Sequence, residues 1–188
     1  MKHPQKSVNV LIRAFVLFLG VSVVMGCQTR PQDGVPEERA QAAEELLNKA
    51  NRLAEQEEYE AAIADYDDVA RRFSQDETRE VRELVTKALF NKSSILKKQG
   101  EYEAEIAVYD DIVCRFGQDT AFEVRVRVAR ALFGKGYALE EQGDYEAAIA
   151  VFDNIARRFE QDKTLEARKV AARARDDKSR LLEKQAKK

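Results

Sequence analysis

The sequence predicts an all-α protein, a solenoid of three helix-turn-helix repeats of 43 residues with one C-terminal capping helix. Three observations carry this. Tyr59-Glu60-Ala61 recurs as Tyr102-Glu103-Ala104 and Tyr145-Glu146-Ala147 at a spacing of 43, and Arg72-Phe73, Arg115-Phe116 and Arg158-Phe159 keep that register. The composition is rich in helix formers, with 35% charged residues and only 3 prolines, which favours helix over other structure. Within a unit the apolar residues return at helical intervals, as in Tyr102, Ile106, Tyr109, Ile112 and Val113.

The elements follow in order. Lys2, Lys6 and Arg13 precede an apolar run from Ala14 to Met25, then Gly26 and Cys27. A basic segment, about a dozen apolar residues and a small residue form the layout of a secretory signal. The run is shorter than the roughly 20 residues that span a bilayer. An ordinary cleaved signal would account for this much. The junction Val24-Met25-Gly26-Cys27 goes further, because it resembles the lipobox of bacterial lipoproteins, with Met25 the less usual residue. That resemblance implies cleavage after residue 26, a lipid on Cys27 and attachment to a membrane. Gln28 in place of aspartate then implies the outer membrane, facing the periplasm. Residues 27–36, with two prolines and a glycine, read as a flexible tether.

From residue 37 to 188 the repeats take over. Gly100 and Gly143 suit the left-handed residue that closes a helix; the first unit has Glu57 there, at a cost of about 1 kcal/mol if the same turn forms. Asp76, Asp119 and Asp162 are placed to cap the helices that follow. Phe122–Val128 alternates apolar and charged residues like a strand. Its equivalent one repeat earlier, Val81, Leu84, Val85, Ala88 and Leu89, is a helical stripe, so helix is expected in both. Residues 163–186 keep the register of a first helix and lose apolar residues at Arg175 and Asp176, as a polar-faced terminal cap should.

The unit is similar to the tetratricopeptide repeat across about residues 40–186; in the third unit Leu132, Gly136, Leu139, Gly143, Tyr145, Ala148 and Phe152 carry the likeness. The resemblance implies antiparallel helix pairs stacked in a right-handed superhelix, with a concave groove that binds a protein or peptide. The departure is length: the family period is near 34, and the additional residues, around 77–85 and 120–128, would lengthen the first helix of each pair. By register the groove positions are Asn51, Lys87, Phe90, Asn91, Ser94, Lys98, Arg130, Phe133 and Tyr137. They offer cations and aromatic surface; equally, the aromatics could pack on the next repeat and the cations be solvated. They do not reproduce the two-carboxylate clamp by which some members hold chaperone tails.

Three further features are structural expectations. Lys49, Lys92, Lys135 and Lys178 stand where the family usually has an apolar residue, which implies covered stems and ammonium groups paired with Asp67, Asp110 and Asp153. Ser93 and Glu105 replace Gly136 and Ala148 at the close contact of the pair, so either Ser93 bonds Glu105 or the hairpin opens and Glu105 reaches water. Cys114, equivalent to Arg71 and Arg157, should face solvent; it is either a tolerated small residue or the thiol of a disulfide-linked homodimer.

Composition narrows function. The only histidine is His3, and the cysteines are Cys27 and Cys114. Beyond the leader no Cys/His zinc site and no His-activated nucleophile can be assembled, so neither metal, cofactor nor catalytic residue is expected. The leader holds three cations and no acid, leaving the rest at a formal charge of −5, which gives no overall footprint for nucleic acid. What remains is a membrane-anchored interaction scaffold of the cell envelope, or alternatively a lipoprotein that binds cell wall or a small molecule.

Overall fold

The computed structural model describes residues 34–161 and 164–187. Cys27, the leader, most of the tether and Asp162 lie outside them. Seven helices run in order: α1 (Pro36–Glu55), α2 (Tyr59–Arg72), α3 (Arg79–Gln99), α4 (Tyr102–Phe116), α5 (Phe122–Gln142), α6 (Tyr145–Glu160) and α7 (Leu165–Ala186). The described residues contain no strand, and the alternating stretch at Phe122 is the start of α5. Fold class and repeat are as the sequence predicts.

Each unit pairs a long helix with a short one. The first helices α1, α3, α5 and α7 have 20 to 22 residues and the second helices 14 to 16, so the residues beyond the usual period do lengthen the first helix. Consecutive helices pack together along the whole chain, and α1 also lies directly on α3. The buried side of α1 is made largely of small residues, Ala40, Ala43 and Ala50. Further along, α5 meets α3 and α7 chiefly through long side chains: Arg127 pairs with Glu83 at 2.9 Å, and Arg180 with Glu140 at 2.7 Å. The face formed by the first helices therefore opens between α3 and α7.

The hairpin turns are the same in all three units. Glu58, Glu101 and Asp144 each donate a backbone N–H to the carbonyl five residues back, at 2.9 Å. This closure needs a left-handed residue just before, supplied by Gly100 (φ 74°), Gly143 (φ 85°) and Glu57 (φ 61°). The glutamate thus adopts the glycine turn, at the strain expected of it.

The aspartates before the first helices act differently from expectation. Asp76 and Asp119 stand two residues ahead of the N-cap positions Thr78 and Ala121, and each accepts the backbone N–H of that residue at 2.9 Å. They fold the turn entering the helix rather than cap the helix itself. The same carboxylates take an arginine from the start of the preceding first helix: Arg39 Nε meets Asp76 Oδ2 at 2.6 Å and Arg82 meets Asp119 at 2.7 Å. The first two units are thereby clasped across their open ends.

The lysine row forms the expected ladder. Lys92, Lys135 and Lys178 donate to Asp67, Asp110 and Asp153 at 2.7, 2.6 and 2.6 Å, joining each first helix to the second helix of the previous unit. Lys49, on the first of the described helices, lies 2.7 Å from Asp65 within its own pair.

Candidate binding groove

Where α3, α5 and α7 part, they enclose an open recess of about 470 Å³. Phe90 and Ser94 face it from α3, Arg130, Phe133 and Tyr137 from α5, and Val170 and Arg173 from α7, with Tyr109 reaching in from α4. Helical spacing accounts for these groupings: Phe90 and Ser94 are four residues apart, and so are Phe133 and Tyr137, which places each pair on one side of its helix. Gly134 makes room for Tyr109, because a Cβ there would lie 2.3 Å from the ring carbon that bears the hydroxyl.

The recess has aromatic walls and cationic edges. Phe133 stacks near Tyr137 at 6.3 Å between centroids, Tyr137 meets Phe152 of α6 at 5.4 Å, and Phe90 meets Tyr109 at 6.4 Å. The Arg130 guanidinium lies 4.6 Å from the centre of the Phe90 ring and that of Arg173 lies 4.7 Å from Phe133. These separations are within the reach of cation–π attraction. The Tyr137 hydroxyl donates to Asp177 at 2.7 Å and accepts from Arg173 at 3.1 Å. Burial pushes the Tyr109 and Tyr137 phenols up from their ordinary values, with Asp177 adding to it at Tyr137. Both remain neutral hydroxyls at ordinary pH.

Of the nine residues expected to line the groove, Phe90, Ser94, Arg130, Phe133 and Tyr137 meet in this recess. Asn51 and Asn91 do not; Asn91 donates to the Asn51 carbonyl oxygen at 2.8 Å, and the Tyr66 hydroxyl donates to the same oxygen. They join α1 to α3. Lys98 is drawn to the hairpin turn of the first unit, where it donates to the Tyr59 hydroxyl and lies 3.5 Å from Glu57. Lys87 is exposed on α3, outside the recess. Sequence reasoning missed Arg173 and Tyr109. Arg173 was within reach, since Lys87, Arg130 and Arg173 occupy one position of successive repeats.

Behind the recess, both expectations for Ser93 and Glu105 are overturned. Ser93 donates to the Phe90 carbonyl of its own helix at 2.8 Å. Glu105 is 2% exposed, accepts the Tyr109 hydroxyl at 3.1 Å through Oε1, and finds no hydrogen-bond partner for Oε2. Tyr109 lies one turn from Glu105 on the same helix face and satisfies it where Ser93, which a backbone carbonyl engages, does not. Cys114 is exposed near the end of α4, as its register predicts.

A larger recess of about 650 Å³ lies at the α2–α3 turn. Its Asp76 and Arg82 are already committed to the clasps with Arg39 and Asp119. It is part of the scaffold.

The family model described as tetratricopeptide repeat matches residues 47–120 and 119–163. A comparison with curated proteins finds no match. The matched residues hold two of the hairpins around the recess and most of the first hairpin, while Val170 and Arg173 of α7 lie beyond the match. The chain belongs to the tetratricopeptide repeat family.

Proposed function

We propose that this protein is a lipid-anchored adaptor of the bacterial cell envelope that holds a protein partner in the recess between α3, α5 and α7. The observation that carries the binding role is the recess itself. Phe90 and Tyr137 are partly exposed there over the buried Phe133 and Tyr109, and two arginines lie against the rings, on the side of the array where members of this family engage proteins. An apolar cleft with a few placed polar groups is the usual form of a binding site. The anchoring role is supported by the basic and apolar leader, residues 1–26, and by the lipobox-like Val24–Cys27. Residues 27–36 would hold the array of residues 37–188 off the membrane. Gln28 supports the outer membrane, with the array facing the periplasm.

One experiment addresses both halves. A photo-crosslinking amino acid at Ser94, in cells supplied with labelled fatty acid, should trap a discrete protein adduct on a lipid-labelled chain. Cys27→Ala should lose the label. Equal labelling of Cys27→Ala and wild type would end the lipoprotein reading. A groove that traps only glycan would shift the assignment to a cell-wall binder.

A further inference from the structure

Taking the recess as the partner-binding surface, we infer that its occupant is an acidic segment, one apolar side chain entering between Phe90, Phe133 and Tyr137 while flanking carboxylates meet Arg130 and Arg173. The first ground is charge. The chain carries 34 acidic residues, yet none lines this recess, whose two charged groups are both arginines. Four other recesses on the surface each include a carboxylate. A positive cleft in an otherwise acidic body selects an anionic ligand by field and attracts it during encounter.

The second ground is that Arg130 is held without an ion pair and Arg173 is only loosely paired. Arg39, Arg82, Arg127 and Arg180 all contact carboxylates at 2.6 to 2.9 Å. Arg130 has no ion-pair partner among the described residues, and Arg173 has one long ion pair, with Asp177 of its own helix at 3.9 Å. Both guanidiniums rest on ring faces instead. Such stacking fixes the plane of the group; it leaves the whole N–H fork of Arg130 available for a bidentate carboxylate, and the part of the Arg173 fork that does not donate to Tyr137.

The third ground is periodicity. Lys87, Arg130 and Arg173 recur every 43 residues, once per first helix. An extended segment crossing α3, α5 and α7 would meet one cation on each. The aromatic rings between them supply the anchor pocket, which a purely polyanionic ligand would leave unfilled.

Binding of three fluorescent peptides to the full chain in detergent tests this. One peptide has a single phenylalanine flanked by glutamates; one replaces those glutamates with glutamine; one keeps them but replaces the phenylalanine with serine. The first should bind most tightly, with affinity falling as salt rises. Each replacement, and the double variant Arg130→Gln, Arg173→Gln, should weaken it about ten-fold or more. Arg52→Gln, an exposed cation on α1 away from the recess, should leave it unchanged. Equal affinity for the glutamate and glutamine peptides would overturn the acidic-ligand inference, and so would an unchanged double variant. The groove reading would then stand on the Ser94 crosslink alone. Loss of that adduct as well would remove the groove reading too.

Discussion

At the scale of the residue, Glu105 is the group least at ease in the fold. Its equivalents in the neighbouring repeats are Ala62 and Ala148, each 0% exposed, whereas Glu105 brings a carboxylate into the same close contact. Burial pushes its pKa up, opposed by the Tyr109 hydroxyl and by Lys97, while Glu141 raises it further. A carboxyl whose folded pKa exceeds its unfolded value favours folding most at low pH. That contribution is lost as pH rises above about 4.5 and through the folded pKa. Glu105→Gln keeps the acceptor for Tyr109 and removes the charge. It should raise stability at pH 7.5 by about 1 kcal/mol, the order of an unsatisfied buried group, and the gain should shrink toward pH 5. Thermal melts of variant and wild type at both values check this; a variant less stable than wild type at both would refute the account. Register alone marked this position as unusual. It could not assign the bonds, because the choice between Ser93 and Tyr109 turns on which hydroxyl a backbone carbonyl has already engaged.

Among the elements, the closing helix α7 is held in two ways, by apolar packing on α6 and by charge toward α5. It offers α6 a narrow apolar stripe, Ala167, Ala171, Ala174 and Leu181. Toward α5 it offers charges: Arg180 forks onto both oxygens of Glu140 at 2.7 and 2.8 Å, and Lys184 adds a contact at 3.1 Å. The Arg180 bond above all, against some burial and with Lys184 assisting, brings Glu140 down to about 2. A depressed carboxylate supports folding above its unfolded value of 4.5, and this support fades as pH falls through the window from there to about 2. Because Arg180 is half exposed, solvent screening limits the pair to about 1 kcal/mol. Glu140→Gln should accordingly speed amide exchange in α7 about five-fold, with little effect in α1 and α2. Exchange rates unchanged in α7 would mean that α6 alone holds it. The closing helix was legible from register, as were the lysine ladder and the glycine turns. The clasps were not. Asp76 sits beside a helix start and reads as a local cap, while Arg39, its other partner, is distant in sequence and is brought near only by the hairpin.

For the whole molecule, the repeat explains why the fold could be read and the groove could not. Three units in one register must adopt one hairpin, so evidence from each unit supports the others, and the strand-like alternation at Phe122 is outvoted. The opening between first helices has no such redundancy. It depends on α1 closing directly on α3, and on aromatic and arginine side chains bridging the later gaps. A stack of this kind is held by nearest-neighbour contacts, and its last contact is α7 on α6. Removing residues 163–188 would strip α6 of its cover and take away the Lys178–Asp153 and Arg180–Glu140 ties along with Val170 and Arg173 of the recess. The lost burial of Leu181 and three alanines amounts to roughly 5 kcal/mol, at about 0.8 kcal/mol per methyl group and 1.5–3 for a leucine. We therefore expect a lower melting temperature, aggregation through the bared face of α6, and amide protection that falls most in α6 and α5 and least in α1 and α2. A melting curve like that of the full chain would show α7 to be undocked. Protection lost evenly across all helices would show a single cooperative block in place of a stack of neighbours.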